Sequence, residues 1–250
     1  MGETAGDGVR MGRSSQLTDR VASWLREAIM VGELPASSFV RTEHVAARLG
    51  VSATPVREAL MLLHGEGAVR WEPRRGFRVV PLTRTDVDDL FAVQAHIAGE
   101  LAARAATTLS DDGLADLHRL QRELEAAGER GELGRVGELN HQVHRTINKA
   151  AGAHRLASML NLFVNHVPRG YYDRVPGWSD ATTHDHDAVL AALDARDPAA
   201  ARAAMDAHIR HIGALLADHL EQRGVLGPSP GDTAPDAARA SERVSRVRRA

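Results

Sequence analysis

From about residue 16 to residue 223 the apolar residues recur every three or four positions. This pattern gives way to strict alternation only once, between about 68 and 82. A stripe with that spacing winds onto one face of a helix, whereas alternation puts every second side chain on one face of a strand. A chain so patterned is mainly helical, with a single β-hairpin near the end of its first third. Leu17, Val21, Trp24, Leu25, Ala28 and Ile29 mark the first helix, which Gly32 and Pro35 end. A short second helix (TEHVAARLG) has Thr42 as its expected N-cap and Gly50 at its C-cap. The third (VSATPVREALMLLHGEG) turns Val56, Leu60 and Leu63 inward, and Pro55 suits its first turn. The alternating stretch AVRWEP-RRG-FRVVPL then reads as two strands with a basic tip at Arg74, Arg75 and Gly76.

Three helices followed by a hairpin, with a tight turn between the second and third helices, form a winged helix-turn-helix. In that arrangement the N-terminal end of the third helix faces the major groove, presenting Ser52, Ala53, Thr54 and Arg57. Arg57 can fork onto a guanine edge or hold a phosphate, and Arg74 and Arg75 reach the backbone or the minor groove. The bland alternatives are a surface ion pair for Arg57 and a solvated turn for the wing arginines.

Beyond residue 84 the periodicity is helical throughout. Thr85 is the expected N-cap of the first segment and Ser110 that of the second. Further helices are read at GELGRVGELNHQVHRTINKAA, HRLASMLNLFVNHVPRGYY, SDATTHDHDAVLAALDAR and from Asp197-Pro198 onward. The expected fold class is therefore mainly α. A winged helix-turn-helix over 15–83 precedes an all-helical antiparallel bundle of about six helices over 84–223. Residues 1–14 and 224–250 carry no sustained apolar face and are expected to be disordered.

Charge and histidine are unevenly placed. Residues 10–84 carry a net +5 and residues 85–223 a net −7, and eleven of the 13 histidines lie in the second stretch. A basic front half suits a phosphate backbone. A His-rich, acidic helical half admits a metal held by imidazole and oxygen. With no cysteine, disulfide scaffolds, thiolate zinc fingers and thiol nucleophiles are excluded. No apolar run approaches a membrane span, nor does the start resemble a secretory leader, so a cytoplasmic protein is expected.

HVAARLGVSATPVREALMLLHGEGAV followed by RRGFRVV resembles the DNA-binding domain of the GntR superfamily of transcription regulators. NHQVH and DHDAVLAALDARDPAAARAAMDAHI resemble the helical FCD effector domain of its FadR-like branch. The resemblance implies a homodimeric regulator, most simply a repressor, that binds double-stranded operator DNA and a small metabolite, often an organic acid. It adds Arg41 and Thr42 to the DNA-binding set of Ser52, Thr54, Arg57, Arg74, Arg75 and Gly76. It also implies a divalent metal on one helix's Asp-x3-His pair and two further histidines, positions that here are Asn140, His144, His186 and His208. Residues 140 and 144 are one helical turn apart and share a face. Cellular availability favours zinc, with nickel as the alternative. Three residues depart from the family's pattern: Asn140 stands for the aspartate, Ala53 for an arginine before Thr-Pro, and Gln94 for an arginine that often receives anionic ligands. Arg104, Arg145 and Arg169 remain as candidate anion partners. His141, on another face of its helix, and His184 are candidate substitute ligands.

Two other functional classes accommodate parts of this pattern. Three histidines with an open position suit a metal-dependent hydrolase or lyase. There is no HExxH, however, and Asp185 and Asp187 merely neighbour His186 without the spacing of a general base. A helical dimer that no longer binds DNA is the second. For the histidines themselves, the alternative to a metal is a polar pocket that binds the effector directly.

Overall fold

The computed structural model describes the backbone of residues 7–228 and the side chains of residues 16–228. Residues 1–6 and 229–250, both within the stretches expected to be disordered, lie outside the described residues.

The first helix, α1 (Asp7–Met30), buries Val21, Ala22, Leu25 and Ala28. It begins inside the stretch 1–14 that was expected to lack structure. Once a helix is nucleated, each further residue adds a hydrogen bond without needing an apolar stripe. After β1 (Phe39–Val40) come α2 (Thr42–Leu49) and α3 (Ala53–Gly65), then the wing strands β2 (Val69–Glu72) and β3 (Gly76–Val79). β1 pairs antiparallel with β3, which makes a three-stranded sheet of order β1-β3-β2 where sequence reasoning expects only a hairpin. Two residues of strand are too short for a readable period. The pairing also corrects the expected cap: Arg41, still extended after β1, is the N-cap of α2, and Thr42 is its first helical residue. Val56, Leu60, Leu63, Val69, Phe77 and Val79 close the core of this unit with α1.

The second unit comprises α4 (Arg84–Thr108), α5 (Asp111–Glu129), α6 (Leu133–Ala150), α7 (His154–Val164), a 3-10 turn (Arg169–Arg174), α8 (Trp178–Asp194) and α9 (Pro198–Gln222). Thr83, rather than Thr85, caps α4: its hydroxyl accepts from the Asp86 amide, and Asp86 accepts from the Thr83 amide. Arg84 is thereby drawn into the helix, where it pairs at 2.6 Å with both Asp218 and Glu221 of α9. Ser110 and Asp197 cap α5 and α9 as the sequence indicates.

α4 and α9 form the longest seam, and they run antiparallel: Phe91 meets Gly213 while Gly99 meets Arg202. A Cβ at residue 213 would lie 2.5 Å from the Phe91 ring, so only glycine permits this approach. The helix read from His154 to Tyr172 stops at Val164. Pro168 has no amide to donate and disfavours helix in the residue before it, so the chain re-forms as the 3-10 turn. At the other end, residues 224–228 are ordered, against expectation. Gly224 takes a left-handed φ of 66°, and the Val225 amide reaches back to the Leu220 carbonyl. Val225 and Leu226 then pack on the bundle core.

Candidate DNA-reading face and histidine pocket

The capped start of α3 leaves Ser52, Thr54 and Arg57 exposed, because Val56, Ala59, Leu60 and Leu63 claim the opposite face. Arg41, Thr42, Arg57, Arg75 and Gly76 line one hollow between the start of α2, α3 and the wing, together with Phe39 and Trp71. Ser52, Thr54 and Arg74 lie outside that hollow, and Arg74 turns the wing tip with φ 63°. Arg57 comes within 3.5 Å of Glu43, but both are well exposed, so water screens the pair and leaves the guanidinium available. The guanidinium of Arg75 lies 4.5 Å above the Phe39 ring, and that of Arg78 lies 5.5 Å from it and donates to the Ser37 carbonyl. Stacking holds these cations near one orientation. Phe39 and Arg78 were missed by sequence reasoning because β1 itself was not legible. Trp71, half exposed, packs edge-on against Phe77 at the same place.

In the bundle, three helices converge on one point. α6 brings His144, α8 brings His186 and α9 brings His208; a ring nitrogen of each lies within 4.8 Å of the others. His186 and His208 are 1% and 3% exposed. Gln121 of α5 donates its amide N–H groups to the Thr183 carbonyl and Glu125, so its Oε1 accepts from His186 Nδ1 at 3.0 Å. His186 Nε2 is then a free lone pair, buried without a partner. Asp185 plays the same part for His208, accepting from Nδ1 at 3.2 Å, and it also binds His211 at 2.9 Å. His208 Nε2 is left facing His144 Nε2 at 3.3 Å, a separation that lets two nitrogens share one ion with Zn–N bonds of about 2.0–2.1 Å.

Burial, reinforced by His208 and His141, pushes His144 down to about 3. Burial likewise carries His186 well below its ordinary value, with His208 and His144 adding to it. Both rings are neutral at neutral pH, as metal ligands must be. Burial raises Asp185, but the bonds from His208 and His211 outweigh it and hold the carboxylate below its usual range. Asn140, one turn before His144, lines the same cavity with its Oδ1 buried and unpaired.

That cavity, of about 690 Å³, opens beside the histidines. Its wall includes His141 and His154, Arg145 and Arg169, and Gln94, but not Arg104. His141 therefore faces the same cavity after all, because α7 and the 3-10 turn wrap around that side of α6. His154, read as an ordinary surface histidine, is there too. His184 is exposed and bonded to the Asp180 carbonyl. Gln121 carries no sequence signal for its role, whereas Asp185 is more than a neighbour of His186, since it orients His208.

Two family profiles match the chain: "Bacterial regulatory proteins, gntR family" over residues 17–79 and "FCD domain" over residues 89–211. Among curated proteins it is 26% identical to the HTH-type transcriptional regulator McbR of Escherichia coli strain K12, across 72% of this chain and 84% of that one. It is 27% identical to the HTH-type transcriptional repressor GlaR of the same strain, across 74% and 89%. The solved structure of E. coli McbR/YncC superposes with a TM-score of 0.60 at 25% identity, covering 81% of this chain and 97% of that one.

Proposed function

Because the chain belongs to the gntR family of bacterial regulatory proteins and carries an FCD domain, it is a DNA-binding transcription regulator and not an enzyme; we propose that it is a cytoplasmic, homodimeric repressor released from its operator by a small organic acid. The DNA-reading residues would be Arg41, Thr42, Ser52, Thr54, Arg57, Arg74, Arg75 and Gly76. A dimer of winged units would recognise half-sites about one turn of DNA apart.

The histidine pocket fits a divalent metal. His186 Nε2 and Asn140 Oδ1 are buried and unpaired, His144 and His208 present the remaining nitrogens, and the donor set of imidazole and amide oxygen suits zinc, with nickel as the alternative. The bound ion would supply a Lewis-acid anchor for an oxygen of the effector. Gln121 and Asp185 hold His186 and His208 in the right tautomer, so the site is pre-formed. Arg145, Lys149 and Arg169 supply positive charge on the cavity wall for the effector's carboxylate.

The observation that carries the regulatory reading is the position of residues 164–178. Val164, Asn165, Arg169, Tyr172 and Trp178 line the cavity. His166, Tyr171 and Arg174, interleaved with them, meet the DNA-binding unit. Tyr171 bonds the Met30 carbonyl at 3.4 Å, Arg174 pairs with Glu27 at 2.9 Å, and His166 Nε2 lies 3.8 Å from Glu66. A ligand that repositions this segment therefore changes the contacts of α1 and α3, which is the differential affinity that coupling requires. Selection of operators from a random duplex library at physiological salt tests the reading. Enrichment of a two-fold symmetric sequence is expected, and no enrichment would overturn it.

A further inference from the structure

The cavity wall is chemically uneven. Its α6 side and the 3-10 turn carry Arg145, Lys149 and Arg169, whereas α4 contributes Phe91, Gln94 and Ala98 and no charge. Among the described residues that line it, none is Asp or Glu. Gln94 is 4% exposed, and its Nε2 is buried without a hydrogen-bond partner. Buried polar atoms are nearly always paired, so an unpaired one on a cavity wall marks where an occupant bonds. One neutral amide cannot offset the burial of a second carboxylate there. A hydroxyl can serve, because it both donates and accepts and so matches either end of an amide. Elsewhere the wall is rich in the same chemistry, with carboxamides at Asn148, Asn161 and Asn165 and the aromatic rings of Tyr172 and Trp178.

We propose that Gln94 is a specificity determinant and that the effector is a polyhydroxylated monocarboxylic acid. Its charged end faces Arg145, Lys149 and Arg169, and a hydroxyl along its chain bonds Gln94. This rests on the cavity being the effector site, and it narrows the class from organic acids in general to those with one charged and one hydroxylated end.

Calorimetric titration of the full chain, purified without chelator, with three five-carbon acids tests it: ribonate (hydroxylated, one carboxylate), pentanoate (no hydroxyl) and glutarate (two carboxylates). Wild-type protein binds ribonate at least tenfold more tightly than either of the others. Gln94→Leu loses about tenfold for ribonate, the loss of one buried hydrogen bond, and stays within about twofold for pentanoate. Gln94→Met, of closely matching volume, replaces that variant if it fails to fold. Gln94→Arg shifts the preference toward glutarate. A wild type that prefers pentanoate or glutarate, or a ribonate-to-pentanoate ratio unchanged in Gln94→Leu, overturns the role of Gln94 while leaving the cavity as an acid site. If none of the three binds, the reading of the cavity as an acid-binding site falls, and the inference with it.

Discussion

Gln121 Oε1 lies 3.0 Å from Nδ1 of His186, a residue 65 positions later, and the bonds from Gln121 Nε2 to Glu125 and the Thr183 carbonyl fix which way that amide points. The tautomer of a buried histidine is thus set by a glutamine from another helix. Gln121→Leu is expected to weaken metal binding by about 10–100-fold without removing a ligand. His144→Ala should abolish it, and Asn140→Asp, which restores a carboxylate, should strengthen it. Elemental mass spectrometry and competition with a chromogenic chelator check all three. Full metal retention in His144→Ala would refute the site.

Arg57 is exposed on α3, and its only close acid is a screened Glu43. Arg57→Ala should lower operator affinity by roughly 1–3 kcal/mol, and the loss should depend on the base at one position of the site. Arg75→Ala, on the wing, should weaken binding more uniformly across sequences and flatten its salt dependence. Fluorescence anisotropy over a salt series separates the two.

Arg174 pairs with Glu27 across the two units, and neither residue touches the cavity or the DNA-reading hollow. Arg174→Ala is therefore expected to bind effector and operator much as the wild type does while showing a reduced coupling between them. The coupling normally amounts to about 1–3 kcal/mol. Operator affinity measured with and without effector is the test, and an unchanged ratio would count against residues 164–178 as the link.

His166 titrates below its ordinary value. Burial is the main cause, Glu66 pulls the other way, and Arg26 adds to the burial. The unfolded chain takes up this proton near pH 6.5, and the folded chain only at lower pH. Between those values the unfolded state holds more protons, so stability rises with pH. The contribution of a neutral His166 is present above about 6.5 and is lost as pH falls through the folded value. His166→Gln should flatten the acid side of the stability profile. His141, His144, His186 and His219 shift in the same direction, so the difference between wild type and variant is the quantity to measure. Identical acid limbs would show that His166 contributes nothing there.

The sequence by itself determined the helical stripes, the hairpin, the caps at Ser110 and Asp197, and the three histidines that converge. It could do so because these rest on neighbours within one or two turns, or on single residues with distinctive chemistry. What only the tertiary structure decided depends on partners far apart in the chain. β1 exists because β3 pairs with it, and Thr83 caps α4 because Arg84 finds Asp218 and Glu221. Gln121 matters because α5 brings it to α8. Pro168 shows both sides: its missing amide could be read as a break, but that the broken segment would join the cavity to α1 follows only from where the bundle places Tyr171 and Arg174. Local periodicity reports which face of an element is buried. Which element covers that face, and so which polar groups are left unpaired on a cavity wall, is set by packing over the whole chain.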